Sequence, residues 1–231
     1  MIPLIIVRPQ PGCDASVAAA RSRGLCASGF PLFEVRSIAW EAPDPATIDA
    51  VLIGSANGLA HAGPALASFA GKPAYAVGDK TAEAAAAAGL ALAAIGVGGL
   101  QAVLDEVPPR HARLLRLAGR DRVALAAPQG VTLVERVVYA SEPQPMSAPL
   151  AERLSEPAVV MLHSGEAAHH FAAQCEAREL DRARLSLVAI GPRVAQTAGL
   201  GWATVAVADA PRDSAMLALA EHLCQTAAGS P

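Results

Sequence analysis

The sequence predicts a doubly wound α/β fold, and three observations carry this prediction. Short apolar runs alternate with helical stretches along most of the 231 residues. The runs are apolar throughout, as expected for strands of a parallel sheet that has helices on both faces. The composition is 53% hydrophobic and 17% charged, which excludes a disordered chain and provides for a large aliphatic core.

The predicted core strands share this unbroken apolar character and stop at glycine, serine or proline. They comprise residues 4–7, 51–53, 74–77, 114–117, 159–162, 185–190 and 204–207. Each predicted helix follows a residue whose side-chain oxygen can accept a free N–H of the first turn. These caps are Asp14 for a helix that ends near Gly24, Asp79 for 81–88 with Gly89 after it, Ser164 for 166–176, and Asp213 for 214–226.

Two segments depart from the core-strand pattern. Residues 31–38 (PLFEVRSI) and 131–139 (VTLVERVVY) carry polar residues between apolar ones. This alternation is typical of strands that are exposed on one side. We therefore predict connecting strands here and not core strands.

Charge and motifs exclude several classes of function. The net charge of −3 and the pI of about 6.1 argue against general nucleic-acid binding. No apolar stretch approaches ~20 residues, so we expect no membrane span. The first seven residues lack a basic signal-peptide region, so we expect a cytoplasmic protein. The chain has no nucleophile-triad signature, no G-x-x-x-x-G-K-[ST] phosphate loop and no dinucleotide-binding fingerprint.

The cysteines and histidines predict neither a disulfide framework nor a metal site. His163 and His170 are two helical turns apart, but His163 ends a strand and no acidic ligand set converges on it. The cysteines form no C-x-x-C pair, and we interpret them as reduced structural thiols. They are Cys13, Cys26, Cys175 and Cys224.

An internal repeat is visible at the ends of the predicted strands. The near-constant offsets of 108, 109 and 113 residues between three pairs predict a duplication. The pairs are Arg8 with Arg116, Ser55 with Ser164, and Gly78 with Gly191. The alternative is that any two α/β domains share strand–glycine–helix turns. Such carboxyl edges of open sheets bind anions through free N–H groups, so two facing lobes would form an anion-binding cleft.

Seven short motifs, taken in order, resemble the uroporphyrinogen-III synthase family along nearly the whole chain. They are Val7-Arg8-Pro9, residues 49–58 (DAVLIGSANG), 76–82 (AVGDKTA), 116–120 (RLAGR), Val138-Tyr139, Ser164-Gly165 and 189–192 (AIGP). Each motif alone is weak, and their order is what makes the resemblance specific.

The resemblance implies two α/β lobes with parallel sheets flanked by helices, joined by a two-stranded antiparallel connector. Residues 1–33 and 142–231 would form one discontinuous lobe and 39–133 the other. Residues 34–38 and 134–141 would be the connector strands. This agrees with the independent interpretation of the two polar-patterned segments.

The resemblance also implies an activity, that of a cyclising hydro-lyase of tetrapyrrole (haem) biosynthesis. The family converts hydroxymethylbilane to uroporphyrinogen III with inversion of the last pyrrole ring and loss of water, without cofactor or metal. It further implies a monomer, with a transient hand-over of substrate from the upstream deaminase. Two alternatives stay open: a non-catalytic, two-lobed protein that binds organic anions, and a degenerate paralogue that keeps the fold.

Candidate site residues follow by resemblance. Tyr139 matches the connector tyrosine and would donate a hydrogen bond to the departing hydroxyl; the alternative is a structural tyrosine, as we expect for Tyr75. The candidates for substrate binding are Arg8, Ser55, Asn57, Gly58, Thr81, Ser164, Gly165, Gly191 and Arg193. For the serines and the threonine the alternative role is helix capping, and for Arg8 it is a surface ion pair.

Two departures from the family pattern bear on activity. Val194 follows Arg193 where relatives usually place serine or threonine, so one hydroxyl contact is missing, and Arg193 would replace it with a charge. The segment 122–130 is short for the family's helix, and Pro128 limits it further. These departures are the best support for the degenerate-paralogue alternative.

Overall fold

A computed structural model describes residues 2–226 of the chain. They divide into two compact units. The first unit combines the residues up to Glu34 with those from Glu142 onward, and the second is Val35–Ser141. The boundary between the units therefore falls within two strands, at each of the chain's two passages between them.

The strands and helices alternate along the chain as the apolar pattern predicts. The strands are β1 (Leu4–Ile6), β2 (Ala27–Gly29), β3 (Phe33–Ser37), β4 (Ala50–Ile53), β5 (Pro73–Val77), β6 (Ala91–Gly96), β7 (Arg113–Gly119), β8 (Thr132–Pro143), β9 (Ala158–Leu162), β10 (Leu185–Ala189) and β11 (Thr204–Val207). The helices are α1 (Gly12–Ser22), α2 (Ala56–Ala60), α3 (Asp79–Ala87), α4 (Leu100–Asp105), α5 (Ala148–Leu154), α6 (Gly165–Ala177), α7 (Pro192–Ala198) and α8 (Asp213–Thr226).

The first unit contains a five-stranded parallel sheet in the order β11-β10-β9-β1-β2. Its central strands are fully buried because helices cover both faces. One face packs around Phe171 and Leu187, and the other around Met161 and Met216. The doubly wound arrangement leaves the carboxyl ends of β1, β9 and β10 at one edge.

The second unit contains a six-stranded sheet in the order β3-β8-β7-β4-β5-β6. The strands from β4 to β8 run parallel. Two hydrogen bonds continue the pairing of β3 with β8, from Ile38 N to Val138 O (2.8 Å) and from Gln144 N to Leu32 O (2.8 Å). Residue numbers fall on one strand as they rise on the other, so this pair is antiparallel.

The predicted fold class is confirmed, including the antiparallel pair, with one correction to the connecting strands. β8 is longer than predicted, and it also pairs in parallel with β7 from Arg113 to Gly119. It is therefore a strand of the second unit's sheet as well as a connector. Its residues alternate because one of its faces is only partly covered.

All seven predicted core strands are present, and two strands were not predicted. β2 has only three residues, and β6 is an alanine-rich edge strand that is largely exposed. Of the predicted caps, Ser164 is confirmed, since its Oγ accepts Ala167 N at 3.1 Å. Three aspartate caps are wrong. α1 begins two residues before Asp14, and Gly78 precedes α3 without a side-chain bond. α8 begins at Asp213, whose carboxylate bonds to distant residues instead.

Strand order and register support the internal repeat. The order β7-β4-β5-β6 in the second unit matches β1-β9-β10-β11 in the first. By strand register, Gly78 lies beside Ser55 and Gly191 beside Ser164, so these turns are equivalent.

The arginine pair of the repeat is wrong. Arg116 pairs with Leu52, three residues before Ser55. Arg8 lies two residues beyond Ile6, which pairs with Met161, so it lies only one residue before the level of Ser164. Arg116 therefore lies two residues further from the carboxyl edge of its sheet than Arg8 does from its own. A difference of two residues keeps both side chains on the equivalent face.

Candidate functional site

The second unit presents two strand-to-helix turns at the carboxyl edge of its sheet. Ser55 caps α2 and accepts the N–H of Asn57 at 3.3 Å, and its carbonyl accepts the N–H of Gly58 at 2.9 Å. Gly78, with φ of 75°, precedes α3 on the neighbouring strand, and its carbonyl accepts the N–H of Thr81 at 3.2 Å. The positive φ explains why glycine stands there. The turns therefore bring two helix N-termini to one edge.

A cavity of about 570 Å³ lies beside the Ser55 turn. Ser55, Arg116, Gly119 and Tyr139 all line it. The half-buried Tyr139 ring lies directly over Gly119, where a Cβ atom would come within 2.7 Å of Tyr139 Cζ. The glycine is therefore required by this close approach. The Tyr139 phenol, the Ser55 turn and a guanidinium share one cavity.

Arg116 is the buried cation of this cavity, with only 5% of its surface exposed. Its Nη1 donates to Glu135 Oε2 at 2.7 Å and its Nη2 donates to the carbonyl of Val123 at 2.8 Å. The second oxygen of Glu135 accepts Arg122 Nε at 2.5 Å. Arg116 Nε is buried without a partner. The two arginines thus share one carboxylate, and one N–H is left over.

The first unit presents the equivalent turns. Ser164 caps α6, and Gly191 precedes α7, whose first residue is Pro192. Open space surrounds the position that a Cβ atom would take at Gly191, and at Gly165 it would meet Thr197 Oγ1 at 3.6 Å. Both glycines therefore leave the edge accessible to a ligand.

Beside these turns, the Asp213 carboxylate accepts hydrogen bonds from three side chains. Its carboxylate accepts His163 Nε2 at 2.9 Å, Ser16 Oγ at 2.9 and 3.0 Å, and Arg8 Nη1 at 3.4 Å. The hydrogen bond from His163 comes first among the causes that hold the pKa of Asp213 below its ordinary value of 3.8, followed by Ser16 and Arg8 against the opposing effect of burial. Because a carboxylate only accepts, His163 carries its proton on Nε2. Its Nδ1 is buried without a partner.

The structure brings some predicted site residues together and separates others. Ser55 and Tyr139 line one cavity, whereas Asn57, Gly58 and Thr81 do not line it. Gly58 and Thr81 are buried, and Gly58 packs against the β7 backbone, where a Cβ atom would lie 3.1 Å from the Leu117 carbonyl oxygen. Helix packing accounts for Gly58.

On the first unit, α7 corrects one expectation. Arg193 is exposed on its first turn, but Val194 is only 7% exposed and packs in the core of the sheet. The valine is therefore a packing residue. A missing substrate contact does not explain it.

Sequence reasoning missed the polar partners that fix these sites. Glu135 accepts hydrogen bonds from both Arg116 and Arg122, and Asp213 accepts hydrogen bonds from Ser16 and His163. These partners lie 13 to 197 positions apart in the sequence, so no local motif marks them. The one available signal was His163 itself, an ionisable side chain that directly precedes the Ser164 turn.

In the part of the chain that the structure describes, the cysteines and histidines form neither a disulfide nor a metal site. All four cysteines are free, and Cys26 alone among them is exposed. Burial raises the pKa of Cys13 and of Cys224 to about 11 and that of Cys175 to about 12, which keeps these thiols protonated. Within residues 2–226, no group of three His, Cys, Asp or Glu side chains is arranged to hold a metal ion. No helix among those residues is long and apolar enough to cross a membrane.

Comparisons with known proteins agree with the geometry. The family model described as Uroporphyrinogen-III synthase HemD matches residues 14–218. The chain is similar in structure to uroporphyrinogen-III synthetase from Helicobacter pylori, with a TM-score of 0.65 and 18% identity over 96% of this chain and 100% of that one. A mutant uroporphyrinogen III synthase from Thermus thermophilus gives a TM-score of 0.54 and 18% identity over 98% and 100%. No curated protein matches the chain significantly.

Proposed function

Because the chain belongs to the uroporphyrinogen-III synthase family, we propose that it cyclises hydroxymethylbilane to uroporphyrinogen III. The observation that carries this proposal is the family match over residues 14–218, which covers the second unit and most of the first. The product closes with its last pyrrole ring inverted, and one molecule of water is lost. The enzyme is accordingly a cyclising lyase of tetrapyrrole biosynthesis.

The reaction needs orientation more than it needs a reactive group. The C–O bond of the substrate's hydroxymethyl group breaks, and the hydroxyl leaves as water with one substrate proton. The resulting azafulvene is attacked by the substituted carbon of the last ring, and the spiro intermediate fragments and recloses inverted. The overall reaction involves no net oxidation or reduction, since only water is lost. Since the free substrate closes without inversion, the protein has to hold the chain in the inverting geometry.

In the second unit, Tyr139 donates its phenolic O–H to the departing hydroxyl. The close contact of its ring with Gly119 and the shared cavity with Ser55 support this role. A positioned donor that acts as the C–O bond breaks accelerates that step. Ser55 and Asn57 hold a carboxylate arm at the first of the two turns, while the buried Gly58 and Thr81 pack the helices that carry these turns.

In the first unit, Arg8, Ser164, Gly165, Gly191 and Arg193 bind further carboxylates of the substrate, which bears eight. The accessible turns at Ser164 and Gly191 and the exposed Arg193 support this assignment. Asp213 accepts one bond from Arg8 Nη1, so the guanidinium is oriented and its other donors serve an anion.

We extend the proposal to the enzyme's location, oligomeric state, cofactors and partners. It acts as a cytoplasmic monomer without metal or organic cofactor. It receives its substrate from the deaminase of the preceding step, since a substrate that closes spontaneously favours a short transfer. Neither nucleic acid nor a membrane takes part.

An isomer analysis tests the activity directly. Hydroxymethylbilane is generated in situ, the protein is added, and the oxidised type I and type III porphyrins are separated. We expect isomer III to predominate with the protein and isomer I without it. Isomer I alone in both samples would favour an anion-binding protein or a degenerate paralogue.

A further inference from the structure

A bulge in β8 sets the direction of the Tyr139 side chain. Ala118 of β7 lies opposite Val137 of β8. The next residue, Gly119, lies opposite Tyr139, so Val138 is one extra residue in β8. Successive strand residues ordinarily face opposite sides of a sheet, but Val138 and Tyr139 pack against the same hydrophobic core. A bulge that redirects a side chain in this way is common beside active sites.

The imidazole of His61 is an aromatic neighbour of Tyr139. The two ring centroids are 6.0 Å apart, and the ring planes are inclined by 37°. This separation is within the range in which aromatic side chains attract each other. Because the Tyr139 ring also lies over Gly119, His61 and Gly119 provide two separate contacts that restrict it.

His61 is itself held in place from two sides. It caps the C-terminus of α2, where its backbone N–H donates to the Asn57 carbonyl at 3.0 Å. Its Nδ1 shares a hydrogen bond with Ser37 Oγ at 3.0 Å. The next residue, Ala62, is fixed as well, because its carbonyl accepts Trp40 Nε1 at 2.7 Å. The imidazole therefore has a defined position from which it can restrict the tyrosine ring.

Strand register places Ser37 directly across from Tyr139. The bond from Ile38 N to Val138 O makes these two residues an opposite pair of β3 and β8. Because the strands are antiparallel, the preceding residue of β3 lies opposite the following residue of β8. Such opposite residues have Cβ atoms about 4.5–5.5 Å apart. His61 therefore bridges a cross-strand pair, bonded to Ser37 and in contact with the Tyr139 ring.

We propose that His61 is a positioning residue for Tyr139: its ring, tied to Ser37, holds the phenol where it meets the departing hydroxyl. Donation to a leaving group needs the donor within hydrogen-bond reach as the bond breaks, so a freely turning ring donates less often. His61 needs no contact with the substrate for this. The role rests on the proposed function and adds to it the residue that orients the donor.

The ring signals of the two tyrosines test the contact without the reaction. The full chain is prepared with isotope-labelled tyrosine, and Tyr139→Phe identifies the Tyr139 NMR signals by their loss. His111→Ala is the matched control, since the His111 and Tyr75 ring centroids are 5.8 Å apart in the same unit. We expect His61→Ala to shift the Tyr139 signals and spare those of Tyr75, and His111→Ala to do the reverse. Unmoved Tyr139 signals in His61→Ala would overturn the proposal.

Kinetics with hydroxymethylbilane show whether the contact serves the reaction. We expect His61→Ala to lower kcat about 2- to 10-fold with KM little changed, because the ring contact is lost and substrate binding is not. His111→Ala should leave kcat unchanged. In a Tyr139→Phe background, His61→Ala should have no further effect, since His61 acts through the phenol. Equal losses in both backgrounds, or a loss that appears in KM alone, refute the positioning role.

Ser37→Ala supplies a second variant if His61→Ala fails to fold. Ser37 is exposed, so its substitution removes the bond to His61 and little packing. We expect it to shift the Tyr139 signals and to lower kcat by a smaller factor. Formation of isomer III with a kcat that neither variant changes refutes the positioning role alone. Shifted Tyr139 signals in a protein that forms no isomer III refute the proposed function alone.

Discussion

At the scale of single residues, Tyr139 combines a role in packing with a role in chemistry. The chain has two tyrosines, and they differ in their surroundings. Tyr75 is 4% exposed and its hydroxyl is 2.7 Å from His111 Nδ1, which confirms its prediction as a packing residue. The Tyr139 ring borders the cavity instead. Its hydroxyl is therefore the one that is available to a substrate.

We expect Tyr139→Phe to slow formation of isomer III about 10- to 100-fold. The substitution removes one hydrogen bond worth about 1.5–3 kcal/mol in the transition state and keeps the ring over Gly119. Isomer III should still predominate, since inversion depends on how the chain is held. Rates are measured with the coupled assay and isomers by chromatography.

Tyr75→Phe is the matched control. It removes the bond to His111 and should lower the free energy of unfolding by about 1 kcal/mol while leaving the rate unchanged. A wild-type rate in folded Tyr139→Phe would remove Tyr139 from the mechanism.

At the scale of secondary structure, the apolar strands could be predicted from the sequence, whereas the helix starts could be predicted only in part. A fully buried strand such as β9 needs an unbroken apolar run, and this is visible in the sequence. β6 lacked that signal, because an exposed edge strand made largely of alanine resembles a helix in composition. The aspartate caps failed because each helix begins where tertiary packing fixes it, as when Asp213 turns to Ser16 and His163.

The candidate site could be predicted only where it depends on local turns. Ser55 and Ser164 cap helices after apolar strands, so their positions follow from the local sequence. The neighbours of Arg116 and Asp213 depend on strand order, which one sequence does not encode in any short pattern. The same limit applies to Val194, whose burial depends on how α7 packs on the sheet.

Helix α7 provides the test at this scale. Val194 lies on its buried face, so Val194→Thr should lower the free energy of unfolding by about 1–3 kcal/mol, because a hydroxyl replaces a methyl group in the core. Substrate affinity should not improve. Urea unfolding measures the stability, and KM measures the affinity.

The exposed Thr197 on the same helix supplies the comparison. Its hydroxyl donates to the Arg193 carbonyl, and Thr197→Val should change stability by no more than about 0.5 kcal/mol. If Val194→Thr were as stable as Thr197→Val, the burial of Val194 in solution would be disproved.

At the scale of the whole molecule, the stability of the fold depends on pH through Asp213. This carboxylate joins α8 to α1 and to the end of β9 through Ser16 and His163. Its pKa is lower in the folded protein than the ordinary 3.8, so the unfolded chain binds its proton more readily. Stability therefore rises with pH across this interval. The contribution is complete above about pH 4–5 and is lost as the pH falls through the folded-state pKa.

We expect Asp213→Asn to flatten the acid side of the stability profile. The amide has no titrating proton, so the unfolding free energy of the variant should change less between about pH 5 and 3 than that of the wild type. The variant should also be less stable near neutral pH, where wild-type Asp213 is ionised and bonded to His163, Ser16 and Arg8. Urea unfolding at a series of pH values measures both effects. Asp14→Asn serves as the control, since Asp14 is exposed and its bonds are to Gln10 in the same turn. An Asp213→Asn profile parallel to the wild-type profile in the acid range would show that this cluster does not couple acid to unfolding.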